Sequence, residues 1–319
     1  MIKNISKDNR GFILLELIIS IALFAVFSIS SVVALLNGLS LEEKSSQYSY
    51  ASNLSQEGLE AVRSIKNRAW NELVYDKTGL LFENQWELAG EASEEQIGRY
   101  RRYLEFERVY RNTSGDIVLL TSPGAMRDIN SFYVYSRVFW ENNGKILSTS
   151  NKAIFSNWQS ALWSQNSWSG GDGQEIYFDT NKFFGSDNLS ILDNLKLEEV
   201  ATSTFAESGY LISSAYGPID NGVFSSIVWN ENIPDNCSEC IIKVFIKTAD
   251  NLNGSPVNWT NTWSGPDGDD NDENDYYLEP MGELISVDHN GEYWIKYKVV
   301  LEGPGDKTPS LQEIKIFYR

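Results

Sequence analysis

The feature that most constrains this 319-residue chain is an apolar run from Phe12 to Leu36. It contains no proline or glycine, and its one charge is Glu16. As a helix rising ~1.5 Å per residue, such a run is roughly 37 Å long, more than the ~30 Å hydrocarbon core of a bilayer. In lipid a helix satisfies its own backbone polar groups, so this segment is predicted to span a membrane. Lys3, Lys7 and Arg10 precede it against one acid, Asp8. That bias holds the leading end in the cytoplasm and sends the following residues outside. A secretory signal peptide would end at a small-x-small cleavage site. "LLNGLSLEEK" offers none and the run is too long, so the helix is expected to be retained.

Glu16 is the anomaly. A leucine there would insert more easily, because an ionised carboxylate in a span costs a few kcal/mol and is normally paired. No partner lies within the segment. A carboxylate near a helix N-terminus also gains from the dipole, so a merely tolerated Glu16 is a second reading.

"RGFILLELIISIALF" resembles the opening of type IV pilins and pseudopilins. In that family a basic leader ends in Gly, and a prepilin peptidase cuts after it and methylates the new N-terminal Phe. The fifth residue of the mature chain is Glu. The resemblance thus implies cleavage between Gly11 and Phe12, N-methylation of Phe12, and Glu16 as an assembly residue that meets a neighbouring subunit's terminal amine. Val33 stands where many major pilins carry a helix-breaking Pro, and Ala25 where a Gly is often seen. Those departures, and a large C-terminal part, resemble minor pilins and pseudopilins.

Beyond the span, "SQEGLEAVRSIKNRAWNELV" keeps a helical period. Leu54, Ala61, Ile65 and Ala69 share a face, flanked by Leu59, Val62 and Leu73. Gly58 is a predicted weak point where the helix could bend. "RYRRYLEFERVYR" and "SFYVYSRVFWE" alternate as half-buried strands, and Asn143-Gly144 signals a hairpin. Arg99, Arg101 and Arg102, alternating with Glu105 and Glu107, read as a solvated strand face. Residues 151–190 are rich in Trp, Ser, Asn and Gly without helical period. They are expected to form a connector in which Trp158, Trp163 and Trp168 anchor on neighbouring domains, or stack on sugars. Residues 191–319 show strand-like runs at the spacing of a sandwich or jelly roll. Their ending, "HNGEYWIKYKVVLEGPGDKTPSLQEIKIFYR", resembles sandwich modules of bacterial surface proteins.

The expected fold class is therefore α+β, with a long N-terminal helix packed on an antiparallel sheet and an all-β sandwich after it. The expected division is a leader at 1–11, a transmembrane and assembly helix at 12–36, a pilin-like α+β domain at 37–150, the connector at 151–190 and the sandwich at 191–319.

Few residues suggest catalysis. The single histidine, His289, lies in a turn without a nucleophile-elbow context and is expected to bond to backbone. No pair of acids stands out for glycoside hydrolysis. The sequence predicts no enzyme. Cys237 and Cys240 form a C-x-x-C at a predicted hairpin tip, where an exported chain closes a small disulfide and a cytosolic one suggests redox or metal work. In "GPDGDDNDENDYY", Asp267, Asp269, Asp272 and Asp275 offer oxygen ligands suited to Ca²⁺. Asp272 stands where an EF-hand needs glycine and no closing Glu follows, which favours a solvated loop. Trp259 and Trp263 flank that run as a candidate glycan platform.

The net charge of −18, with acids spread along the chain, argues against nucleic-acid binding, which needs a basic stripe. The resemblance implies a minor pilin or pseudopilin of a pilus, competence or type II secretion filament. Its partners would be prepilin peptidase, other pilin subunits and the bacterial cytoplasmic membrane. The alternative is a filament-borne or membrane-anchored adhesin whose sandwich binds glycans or surfaces.

Overall fold

This computed structural model describes residues 10–112, 114–192, 194–217, 222–268 and 274–319, with side chains described from Leu14 onward. One helix, α1 (Arg10–Arg68), runs unbroken for 59 residues. At ~1.5 Å per residue it is roughly 88 Å long. Its halves live in different environments. From Leu14 to Leu41 every large apolar side chain is exposed, with Phe24 at 72% and Phe27 at 70%. From Ala51 onward one stripe is buried: Leu54, Leu59, Ala61, Val62 and Ile65 all face protein, as do Ala69 and Leu73 just beyond. Lys66 and Arg68 in the last turn oppose the dipole. Arg68 also bonds to Glu72 and to the Trp86 carbonyl.

The buried half of α1 lies on a seven-stranded antiparallel sheet. Its strands are β1 (Lys77–Phe82), β2 (Trp86–Glu91), β3 (Glu95–Ile97), β4 (Tyr100–Arg111), β5 (Ile117–Val118), β6 (Met126–Asn142) and β7 (Lys145–Ser156). The order is β2-β1-β4-β6-β7, with β3 and β5 also pairing to β4. Asn143 and Gly144 join β6 to β7 with φ of 52° and 73°, the left-handed pair that a two-residue hairpin needs.

Two expectations are corrected here. Gly58 does not bend the helix. It lets α1 approach β6, since a Cβ at residue 58 would lie 2.3 Å from Ser136 Oγ. Arg102 is not solvated but 1% exposed. The alternation of β4 puts it on the helix side with Tyr100, Leu104 and Phe106. There its guanidinium donates to Leu54 O at 2.6 Å and to Glu95 Oε2 at 2.6 and 2.9 Å.

The second unit is a β-sandwich. Its strands are β8 (Ala161–Gln165), β9 (Gly185–Asp187), β10 (Leu189–Ile191), β11 (Leu195–Leu197), β12 (Glu199–Ala201), β13 (Thr204–Phe205) and β14 (Ser208–Ile212). They are followed by β15 (Phe224–Asn232), β16 (Ile241–Leu252), β17 (Ser255–Val257), β18 (Glu283–Leu284), β19 (Trp294–Glu302) and β20 (Ser310–Tyr318). One sheet runs β10-β11-β20-β15-β18, and β8 pairs with β20 beside β11. The other runs β17-β16-β19-β14-β9, and β12 with β13 forms a separate ribbon. Between the sheets lie Phe224, Ile227, Val244, Ile246, Tyr297, Val299, Ile314 and Ile316.

The stretch expected as a connector is thus divided between the two units: residues 151–156 complete β7 of the first sheet, and β8 and β9 each extend a sheet of the sandwich. Trp163 and Trp168 are 4% and 2% exposed within its core. Trp163 stacks on Tyr216 with centroids 4.7 Å apart, and Trp168 Nε1 donates to the Tyr297 hydroxyl at 3.0 Å. Trp158 alone of the three is exposed.

The two units meet at the short 3-10 turn Trp70–Glu72 that follows α1. Asn71, fully buried, donates to Ile285 O at 3.0 Å and to Asn290 Oδ1 at 2.8 Å. Arg127 reaches Gly282 O at 3.1 Å, and Arg319 reaches Asn67 O at 2.9 Å. The architecture is α+β: a long helix on an antiparallel sheet, followed by a β-sandwich.

Candidate functional site

Two regions hold the residues singled out from the sequence. The first is the start of α1. The backbone is already helical at Gly11 and Phe12, and Glu16 lies one turn into the exposed apolar half. Ser30 and Ser31 each donate to the carbonyl four residues earlier, so these hydroxyls are satisfied within the helix. This is the one candidate membrane-spanning helix among the described residues, and none of its apolar window is buried in protein.

The second region is the outer face of the β17-β16-β19-β14-β9 sheet. Strand alternation turns Ile242, Val244 and Ile246 into the core and Lys243, Phe245 and Lys247 outward. On β19, Ile295, Tyr297 and Val299 point in while Lys296 and Lys298 point out. The register sets Lys247 opposite Lys296 and Phe245 opposite Lys298. Residues 258–264 and 274–277 lie along the free edge of β16, where Ser264 bridges to Ile246 and Tyr277 to Val244. This brings Trp259, Trp263 and Tyr276 over the same face. Lys296 Nζ sits 4.0 Å from the Trp259 ring centroid and 5.6 Å from that of Trp263. Lys247 lies 5.5 Å from Trp263, Lys243 5.0 Å from Tyr276, and Lys298 5.5 Å from Tyr210.

The two tryptophans are therefore neighbours, but they clasp an ammonium between them rather than present a bare stacking platform. Burial, and then the facing Lys247 ammonium, hold Lys296 below the usual lysine pKa. Sequence reasoning missed these lysines. The signal was present in "IIKVFIKTA" and "EYWIKYKVV", where lysines recur at strand period on the face opposite the apolar positions.

The acidic run begins and ends next to this face. Asp269 and Asp272 lie outside the described residues. Asp275 is buried, and its Oδ2 accepts from the Gly265 backbone N–H at 2.6 Å. Burial, reinforced by a hydrogen bond with the Asp267 carboxyl, pushes its pKa up to about 6. The two carboxyls close the base of the loop on each other. Among the described residues no group of three or more His, Cys, Asp or Glu is placed to hold a metal ion.

Cys237 and Cys240 form a disulfide. It does not cap a hairpin: β15 and β16 belong to opposite sheets, so the pair braces a crossover between them. Lys307 Nζ donates to Asn236 O at 2.7 Å in the same turn. His289 is 1% exposed and, contrary to expectation, its ring meets side chains. Thr248 Oγ1 lies 2.8 Å from Nδ1 and Ser264 Oγ 3.1 Å from Nε2, which ties the folded-back edge to β16.

No protein-family model and no curated protein matches this chain. Among solved structures it resembles one from the carbohydrate-binding modules of the β-sandwich superfamily. That match has 13% identity and a TM-score of 0.22, covering 69% of this chain and 89% of the other. A structure of infectious bursal disease virus, Gx strain, matches at 7% identity and a TM-score of 0.19, covering 74% and 61%. Overlap this small assigns no ligand to the present chain.

Proposed function

We propose that this chain is a membrane-inserted, pilin-like subunit of the minor pilin or pseudopilin kind. In this reading a prepilin peptidase cuts between Gly11 and Phe12 and methylates Phe12. The exposed half of α1 then passes from the bilayer into a helical filament of a pilus, competence or type II secretion machine. One observation carries the reading: the apolar, exposed half of α1 continues without a break into the half that forms the core of the first globular unit. A simple anchor needs no such rigidity, because a flexible linker between span and head would serve. A subunit that transmits its position along a filament does need it.

Glu16 fits the same reading. Cleavage would create an α-amine on Phe12, and a neighbour's Glu16 would neutralise it within the apolar stack. An unpaired buried charge is strongly destabilising, so the pair would select one axial stagger. The chain's other face to its surroundings, the lysine-aromatic sheet, would then be carried outside the membrane.

The test is twofold. Mass spectrometry of the protein from cells with an active prepilin peptidase should give an N-terminus at methylated Phe12. Glu16→Leu should reach the membrane and be cleaved as wild type, yet drop at least several-fold in sheared filaments or in crosslinks to assembly partners. A retained leader, or full assembly of Glu16→Leu, rejects the proposal.

A further inference from the structure

A cavity of about 360 Å³ opens at the edge of the lysine-aromatic face. Its walls come from three places: the 173–184 loop, which bridges to Ala215 through Ile176; strand β19; and the β16-β17 arm with Pro256 and Trp259. The volume is at the small-ligand end of the usual range. The lining is mixed in a particular way. Phe184, 47% exposed, and Ile176 give an apolar wall. Phe178, 81% exposed, stands in the same loop and lines the adjoining hollow. Exposed apolar groups gathered beside a cavity mark a binding surface more than scattered ones do.

Two charges enter this cavity. Lys296 is held in place by the Trp259 ring and faces Lys247 across the ladder. Glu175 is exposed at the rim. Among the described residues neither Lys296 nor Glu175 makes an ion pair.

We infer that this cavity takes a uronic acid residue of an acidic polysaccharide. The Lys296 ammonium would donate to the sugar carboxylate, a charge-assisted bond in a partly desolvated site. The Glu175 carboxylate would accept from ring hydroxyls. The C–H face of the ring would lie against Phe184 and Ile176. An inorganic anion would leave the apolar wall unused, and a neutral sugar would leave Lys296 unanswered. The inference concerns the sandwich alone, so it stands or falls separately from the filament reading.

The test uses the full chain in detergent micelles, with trigalacturonic acid and its neutral counterpart galactotriose as probes, followed by calorimetry. The acidic trimer should bind at least 10-fold more tightly than the neutral one. Lys296→Met should reduce binding of the acid to the level of the neutral trimer, and Phe184→Ala should weaken both. Lys296→Arg, which keeps the charge, should retain most of the affinity. Lys298→Met, on the same face but outside the cavity, should change it less than 2-fold. Equal affinity for the two trimers, or equal losses from Lys296→Met and Lys298→Met, would overturn the inference. So would no binding at millimolar trimer, or binding of tripolyphosphate as tight as that of the acidic trimer.

Discussion

Replacing Gly58 with alanine is a direct test of how α1 seats on its sheet. Alanine is worth about 1 kcal/mol over glycine inside a helix, so propensity alone predicts a gain. The packing predicts the reverse. A Cβ at residue 58 would lie 2.3 Å from Ser136 Oγ, 3.2 Å from Ser136 Cβ and 3.3 Å from Arg102 Cδ. Overpacking of this kind costs about 1–3 kcal/mol. The net expectation for Gly58→Ala is a loss on the order of 1 kcal/mol. Ser136→Ala alone should be near neutral or slightly stabilising, because the Ser136 hydroxyl is buried with no hydrogen-bond partner among the described residues. In that background Gly58→Ala meets only the 3.2 Å and 3.3 Å contacts, and the propensity gain should cancel most of the remaining cost. The two changes should therefore couple by about 1–2 kcal/mol. Urea unfolding of the detergent-solubilised chain, followed by ellipticity and tryptophan fluorescence, gives the four stabilities of the cycle. A stabilised Gly58→Ala, or additive changes, would refute the close-approach argument and return Gly58 to being a simple weak point in the helix.

Three further expectations concern the sandwich. Replacing both Cys237 and Cys240 with serine should lower stability by at most about 2 kcal/mol, because the loop they close is short; a melt under matched conditions checks this, and loss of folding would contradict it. Asp275 titrates at about 6 when folded, above its ordinary 3.8, so its contribution is full below pH 3.8 and is lost as pH rises through 6. The melting temperature should thus fall between pH 4 and 7 on this account, and Asp275→Asn should flatten that slope. Asn71→Ala should leave the Ile285 carbonyl without its donor, at a cost of about 1–3 kcal/mol, and should speed hydrogen exchange around residues 285–290.

What was legible in the sequence is what local spacing controls. The apolar run, the buried stripe from Leu54 to Leu73 and the Asn143-Gly144 hairpin all follow from period and turn chemistry. Arg102 was misread because its charge outweighed its register. The alternation through Tyr100, Leu104 and Phe106 already placed residue 102 on the buried side. The membership of 161–187 in the sandwich was not legible, because β8 finds its partner about 150 residues further on and its tryptophans carry no period of their own. The lysine-aromatic face lay in the same blind spot. Each strand showed its outward lysines, but only the sheet order and the return of 258–264 along β16 set them beside Trp259 and Trp263.

The pairing of Ala161–Gln165 with the last strand decides where this protein can be cut. A fragment beginning at residue 191 would leave Ile314 to Tyr318 as a bare edge and would lack Trp163, Trp168 and Phe183 from its interior. Such an edge is a template for pairing between copies, so the fragment is expected to aggregate. A fragment that starts near residue 157 carries its own edge cover and the missing aromatic filling. It is the piece expected to remain monomeric once detached from α1.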